Sequence, residues 1–167
     1  MVGKKTVKKQ TKSNETVKNT TPSKTVGIGW QQSMSVGEKT IDMQHQKLFN
    51  ELQRLNTIIQ SSEFNMGSLR DSIHFLYGYI QEHFTYEEHY MAEHNYPGLE
   101  KHKQIHQSFV SFYDTFQLEL REQLKKKDFS LIELKQLLMK IKNHLSDWLH
   151  LHIMSEDQKY AKYIASH

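Results

Sequence analysis

The sequence predicts an all-α protein, an antiparallel up-down-up-down four-helix bundle with an N-terminal arm and a disordered basic tail. Four long stretches carry apolar residues at helical spacing, and short connections separate them. The 167 residues include only 2 Pro and 7 Gly, which suits long helices with few turns. Amphipathic helices of about 20–30 residues joined in this way are typical of helix bundles.

The first helix is predicted over residues 41–61 and the second over residues 68–94. Residues 65–68 break the pattern, and Ser68 is expected to cap the second helix. Residues 95–98, which include a Pro-Gly pair, end it. The inward stripes of the two helices are Ile41, His45, Leu48, Leu52, Leu55 and Ile59, then Ile73, Leu76, Ile80, His83 and Glu87.

The third helix is predicted over residues 99–127, and the fourth from Asp128 or Ser130 to about residue 164. Residues 26–39 are predicted to form an irregular N-terminal arm. Trp30 and Met34 are expected to pack this arm against the helices. The inward stripes are His102, Ile105, His106, Phe109, Phe112, Phe116 and Leu120, then Leu134, Leu138, Ile141, Leu145, Trp148, His152 and Ile153.

The basic charge lies in the first 25 residues. They hold seven Lys and one Glu, a net of +6, so residues 26–167 carry +3 − 6 = −3. We expect residues 1–25 to be disordered and residues 26–167 to form the domain. The tail could contact anionic lipid or nucleic acid loosely, but a solvated extension is favoured. Because residues 26–167 carry a net negative charge, we do not expect the folded domain to bind nucleic acid.

The composition excludes several classes of protein. No apolar run of 18 residues exists, so no membrane span is predicted, and no secretory signal is visible. The chain has no Cys, which excludes disulfides and thiolate metal sites and fits a reducing compartment, so we expect a cytoplasmic protein. Any metal must be held by carboxylates and by some of the 11 His.

Seven of the polar residues on or beside the inward stripes should share one level of the bundle. Glu87 and His106 each lie about eight residues, or roughly 12 Å, from the turn between the second and third helices. His83 and Glu87, like His102 and His106, are spaced i, i+4 and share a helix face. The seven candidate metal ligands are His45, His83, Glu87, His102, His106, His152 and Asp157.

Asp157 is the member whose spacing fits least well. It follows His152 by five residues, a rotation of about 140° on an α-helix. Asp157 can therefore reach the site only from the side or through a local distortion of the helix. The remaining six histidines lack partners in this scheme and are expected at the surface: His74, His89, His94, His144, His150 and His167.

The alternative to a metal site is a core in which the histidines are hydrogen-bonded to one another without metal. Packing five imidazoles together would leave buried donors and acceptors unpaired, at about 1–3 kcal/mol each, so a metal site is favoured. Seven ligands are more than one tetrahedral zinc ion can bind. The imidazoles exclude Ca and Mg, because these ions take oxygen ligands. Two bridging carboxylates suit a pair of ions, with iron favoured and Zn, Mn or Cu left open.

These residues resemble the hemerythrin family, specifically its single-domain bacterial type. The resemblance spans about residues 28–163, and it is carried by residues 41–45, by the pairs His83/Glu87 and His102/His106, and by residues 148–157. It implies two non-haem iron ions with an oxo or hydroxo bridge, and reversible O2 binding. His102, His106 and His152 would hold one iron and His45 and His83 the other, with Glu87 and Asp157 bridging.

On this resemblance the iron held by two histidines keeps an open position for O2. Apolar side chains are expected to wall that position and exclude water. Carriage, storage or delivery of O2 is the favoured function. The alternatives are a di-iron enzyme with peroxidase-like or nitric-oxide-reducing activity and a sensor of O2 or redox state. The predicted O2 pocket consists of Leu48, Phe84, Trp148, Leu149 and Ile153.

Overall fold

The computed structural model describes residues 29–167, and the predicted tail of residues 1–25 lies outside them. Within the described residues the chain is a four-helix bundle without strands, as predicted. The helices are α1 (Lys39–Gln60), α2 (Met66–Glu93), α3 (Leu99–Lys125) and α4 (Leu131–His152). A π-helical turn (Ile153–Asp157) joins α4 to a last helix, α5 (Gln158–Ala165).

The four long helices are arranged as a square in which α1 and α3 each pack against α2 and α4. Their short connections make successive helices antiparallel. Most apolar residues of the inward stripes form one continuous core, which includes Leu52, Leu76, Phe116 and Leu138. Two do not: Ile41 lies in a second, smaller cluster, and Ile105 is only half-buried and belongs to neither. Tyr113 is buried in this core although the predicted stripe of α3 omits it, and its hydroxyl donates to the carbonyl of Ile73 at 3.1 Å.

Local signals place the helix ends within a few residues of their predicted positions. Asn65, and not Ser68, caps α2, because the Asn65 carboxamide oxygen accepts from the Ser68 amide at 2.8 Å. Ser130, the second of two predicted candidates, caps α4. Glu38 caps α1, which begins two residues earlier than predicted.

The arm before α1 folds back on the bundle, as expected from its apolar residues. Met34 is buried and Trp30 packs against the main core. Gly37 has φ +82, a conformation that favours glycine, and it turns the chain into α1. Gln158 of α5 donates to the Ser35 carbonyl at 3.0 Å, so the arm closes the end of the bundle that carries the seven candidate ligands.

No helix within residues 29–167 combines the length and apolar character needed to cross a membrane.

Candidate metal centre

The seven candidate ligands meet inside the bundle at the level that their spacing predicts. Each of the long helices contributes one or two of them, and the π-helical turn contributes Asp157. All seven are buried, with no more than 3% of any residue exposed. The structure therefore brings together the whole predicted set, and no member of it lies elsewhere.

Three histidines and one carboxylate form the first group of donors. The ligand atoms of Glu87, His102, His106 and His152 all lie within 4.8 Å of one another. Glu87 Oε2 lies 3.3 Å from His102 Nε2 and 3.2 Å from His106 Nε2. The Nε2 atoms of His106 and His152 face each other at 3.1 Å. Three imidazole nitrogens and an oxygen converging in this way are a donor set for one transition-metal ion.

His45, His83 and Glu87 form a second group with ligand atoms inside the same limit. The imidazole rings of His45 and His83 meet edge to face with centroids 4.7 Å apart. His83 Nε2 lies 4.0 Å from Glu87 Oε2. Because Glu87 belongs to both groups, the site has two adjoining centres that share one carboxylate.

Asp157 also faces both groups. Its Oδ1 lies 3.0 Å from His152 Nε2 and 3.5 Å from His102 Nε2, while its Oδ2 lies 3.4 Å from His45 Nε2. Each oxygen of this carboxylate therefore points to a different group. Two carboxylates between two sets of imidazoles are the arrangement that a pair of bridged ions requires.

The π-helical turn explains how Asp157 reaches the site. A π-helix, which has i→i+5 hydrogen bonds and more residues per turn, brings residues five apart closer in angle than the roughly 140° of an α-helix. The turn covers Ile153–Asp157, directly after His152, so both side chains project from one face. The local distortion that the spacing required is therefore present, and an approach from the side is not needed.

Two outer residues orient the imidazoles. His106 Nδ1 lies 2.8 Å from the Glu88 carboxylate, and His83 Nδ1 lies 3.0 Å from the Gln44 carboxamide oxygen. An oxygen acceptor at Nδ1 places the ring proton there and leaves the Nε2 lone pair for the centre. Neither residue was predicted from the sequence, although each directly neighbours a candidate ligand in the chain.

Tyr160 is a third residue that the sequence analysis missed. It is fully buried, and its hydroxyl donates to Glu87 Oε1 at 2.7 Å. This bond occupies one oxygen of Glu87 and leaves Oε2 toward the histidines. Tyr160 follows Asp157 by three residues on α5, so helical spacing from a candidate ligand was the signal available for it.

Burial sets the protonation of most of the imidazoles. It lowers the pKa of His83 and His152 to about 4, and burial together with His83 holds the pKa of His45 well below 6.5. Burial also lowers the pKa of His106, but hydrogen bonds to Glu87 and Glu88 outweigh it and raise that pKa above 6.5. At neutral pH the first three rings are uncharged and present lone pairs, the form that binds metal.

The two carboxylates differ in their charge. Burial acts to raise the pKa of Glu87, but hydrogen bonds from His102 and His106 outweigh it and lower the pKa well below 4.5. Burial and the adjacent Glu87 raise the pKa of Asp157 well above 3.8. Two buried carboxylates this close ionise together only when positive charge lies between them.

Unpaired polar atoms at the centre fit bound cations. Among the described residues, both ring nitrogens of His45, Nε2 of His83 and both oxygens of Asp157 are buried without a hydrogen bond. Each such atom costs about 1–3 kcal/mol if it stays unpaired. Cations between the two groups would pair the inward-facing atoms at once, and five imidazoles with two carboxylates suit iron. The residues present therefore fit a di-iron group.

An apolar cavity of about 20 Å³ lies beside the centre, room for about one small molecule. Four of the five predicted pocket residues line it: Leu48, Phe84, Trp148 and Leu149. Phe84 stacks on His106 with centroids 3.7 Å apart, and Trp148 stacks on His152 at 4.4 Å. These two aromatic walls therefore lie against the three-histidine group, whereas the resemblance placed the pocket beside the two-histidine iron. Toward that second group, Phe84 lies 5.7 Å from His83 between ring centroids. Ile153 is fully buried but does not line this cavity.

The six histidines expected at the surface stay away from the centre. Five are exposed, namely His74, His89, His94, His144 and His167, and His150 is half-buried.

Comparison with known proteins agrees with this geometry. The family model described as "Hemerythrin HHE cation binding domain" matches residues 36–164. The chain is similar to the bacteriohemerythrin of Stenotrophomonas maltophilia, with 26% identity over 138 residues that cover 83% of this chain and 82% of that protein. It is 28% identical to the bacteriohemerythrin of Pseudomonas aeruginosa over 131 residues (78% of this chain, 77% of that protein).

A bacteriohemerythrin of Clostridium acetobutylicum is 27% identical to this chain over 134 residues, which cover 78% of this chain and 96% of that protein. The family match extends from the arm before α1 to α5 and includes all seven candidate ligands. The chain belongs to the hemerythrin family.

Proposed function

We propose that the centre holds two non-haem iron ions and binds O2 reversibly, for carriage, storage or delivery. In this proposal His102, His106 and His152 bind one ion and His45 and His83 the other, with Glu87 and Asp157 bridging both. The observation that carries it is the position of the two carboxylates. Glu87 belongs to both donor groups, and the two oxygens of Asp157 face different groups.

When bound, the iron pair would supply a redox-active site for O2. The chain keeps the donors in place, because Glu88, Gln44 and Tyr160 each hold one ligand through a hydrogen bond to its outer atom. Ligands oriented in advance need less rearrangement when the metal changes its charge.

The chain also keeps water away from the centre. The cavity beside the histidines is lined entirely by apolar residues, including Leu48 and Leu149. A small apolar gas enters such a space readily, whereas water needs polar partners that these walls do not offer. This lining would keep water and protons away from the donor groups, which favours binding O2 over reducing it.

A gas-exchange experiment tests this function. The purified chain is loaded with iron, reduced without oxygen, exposed to air and then returned to an inert atmosphere while its visible spectrum is recorded. Reversible carriage predicts a charge-transfer band that appears in air and disappears when O2 is removed, over repeated cycles. Irreversible conversion to the ferric form in the first cycle contradicts the proposal. Metal analysis of the same sample should find two irons per chain.

A further inference from the structure

Tyrosines are concentrated at the end of the bundle that carries the proposed iron centre. The tyrosines there include Tyr90, Tyr96, Tyr160 and Tyr163. Tyr160 belongs to a small apolar cluster with Val36, Ile41 and Met91, against which Tyr90 and Tyr96 pack. The proposed function uses only the hydroxyl of Tyr160 and leaves the other three unexplained.

Three of these rings form a continuous path from the centre to the surface. Tyr160 donates to Glu87 at 2.7 Å, and its ring centroid lies 5.9 Å from that of His102. The Tyr96 ring lies 6.2 Å from Tyr160, and the Tyr163 ring lies 5.5 Å from Tyr96. We call Tyr160, Tyr96 and Tyr163 the tyrosine path.

The two outer members of the tyrosine path are more exposed than Tyr160. Tyr160 is 0% exposed, whereas Tyr96 and Tyr163 are both half-buried. Tyr163 also stacks on the exposed His167, with centroids 4.1 Å apart. The path therefore begins in the protein interior at a proposed iron ligand and ends where a molecule in solution can reach it.

Phenol side chains can lose one electron together with one proton, which alkyl and phenyl side chains do not do under comparable conditions. The chain has no cysteine to compete for this role. The hydroxyl of Tyr160 already has an acceptor for its proton. We propose that the tyrosine path conducts oxidising equivalents from the centre to the surface when hydrogen peroxide reacts there, which protects the buried ligands.

The chemistry of this step balances with peroxide as the oxidant. Each hydrogen peroxide takes up two electrons and two protons, its O–O bond breaks, and two waters form. Two tyrosine phenols each give up one electron and one proton and become tyrosyl radicals. Electrons move inward from Tyr163 through Tyr96 to Tyr160 one at a time, so each of the two radicals can pass in turn to Tyr163. There a small phenol or ascorbate returns one electron and one proton for each radical and restores the tyrosine. The inference rests on the proposed iron centre.

Trp148 is the competing exit. Its indole stacks on His152 with centroids 4.4 Å apart, and it is half-buried. Its other aromatic neighbours include Phe84 and Phe109, whose phenyl rings do not continue a path of oxidisable groups. Radical capture at Tyr163 and radical capture at Trp148 are therefore distinguishable outcomes.

Radical mapping tests the tyrosine path. The iron-loaded full-length chain is treated with hydrogen peroxide in the presence of a nitroso spin trap, and trap adducts are located by peptide mass spectrometry. We expect the adduct on Tyr163 and a tyrosyl signal in electron paramagnetic resonance. Tyr160→Phe keeps the ring packing and should reduce adduct formation at Tyr163 to the level of metal-free protein. The matched control Tyr77→Phe alters an exposed tyrosine on α2 outside the tyrosine path and should leave adduct formation at Tyr163 unchanged.

Tyr163→Phe is the second variant, because it changes a half-buried residue and does not touch the centre. It should move the adduct to Tyr96. Labelling of Tyr163 that persists at the parent level in Tyr160→Phe overturns the inference, as does labelling mainly at Trp148 or an absence of any trapped radical. Iron content and the O2 band of the same samples separate the two proposals. Chains without two irons refute both, whereas chains with iron and a reversible band but no dependence on Tyr160 refute only the path.

Discussion

Glu88 offers a direct test of how the chain orients its metal ligands. Its carboxylate receives the Nδ1 proton of His106 at 2.8 Å, and its side chain is 27% exposed. Glu88→Gln keeps the length of the side chain but removes the negative charge, and its carboxamide can turn an N–H toward the ring. The His106 proton is then no longer held on the outer nitrogen, so the Nε2 lone pair is less available to metal.

The expected size of the effect follows from the kind of contact that is lost. Replacing the outer hydrogen-bond partner of a metal-binding histidine costs about 10–100-fold in metal affinity. That range corresponds to about 1.4–2.7 kcal/mol of binding free energy. The change should therefore be clear in binding, while the helices remain folded because Glu88 lies outside the core.

Anaerobic competition for iron(II) against a chelator of known affinity measures this effect. The matched control is Glu93→Gln, which removes a similar contact between a glutamate and a histidine on the surface of α2. There Glu93 lies 3.2 Å from His89, and both side chains are mostly exposed. Only Glu88→Gln should weaken iron binding. Equal affinities of the parent and the Glu88 variant, or equal losses in both variants, would refute the reasoning.

Three further changes test other parts of the centre. Glu87→Ala removes the carboxylate common to both donor groups, so metal analysis should find fewer than two irons per chain; two retained irons would contradict its bridging role. Burial holds the pKa of His83 and His152 at about 4, below the unfolded value of 6.5, so the folded metal-free chain binds fewer protons. Its free energy of unfolding should therefore fall as pH drops from 6.5 to 4, by on the order of 3 kcal/mol for each ring. Urea titration at a series of pH values measures this, and a free energy of unfolding that stays constant would contradict the expectation. Leu48→Asn places a polar group in the cavity wall and should shorten the lifetime of the O2 complex in air, measured from the decay of its visible band; an unchanged lifetime would argue against exclusion of water by this wall.

The position of the site along the bundle could be predicted from the sequence because it depends on few quantities. Helix length, the rise per residue and the alternating direction of the helices place Glu87 and His106 at the same distance from their turn. Small errors at helix ends did not matter, since the start of α1 at Lys39 and the cap at Asn65 shift no inward stripe.

The residues that the sequence analysis missed depend on finer geometry. Gln44 and Glu88 each lie one position from a candidate ligand, on flanks that an inward stripe does not distinguish from solvent-facing positions. Their hydrogen bonds depend on the rotation of each helix and on side-chain conformations, which spacing alone does not determine. Tyr160 was inaccessible for another reason, because its direction depends on how many residues the π-helical turn contains.

The wide turn at Ile153–Asp157 has a consequence for finding and building such sites. Surveys that accept only donors three or four positions apart on a helix would overlook His152 with Asp157. Conversely, a designer who adds a single amino acid to a regular helix next to a histidine can bring a carboxylate beside it without moving the rest of the scaffold, because the extra position is absorbed within one widened coil.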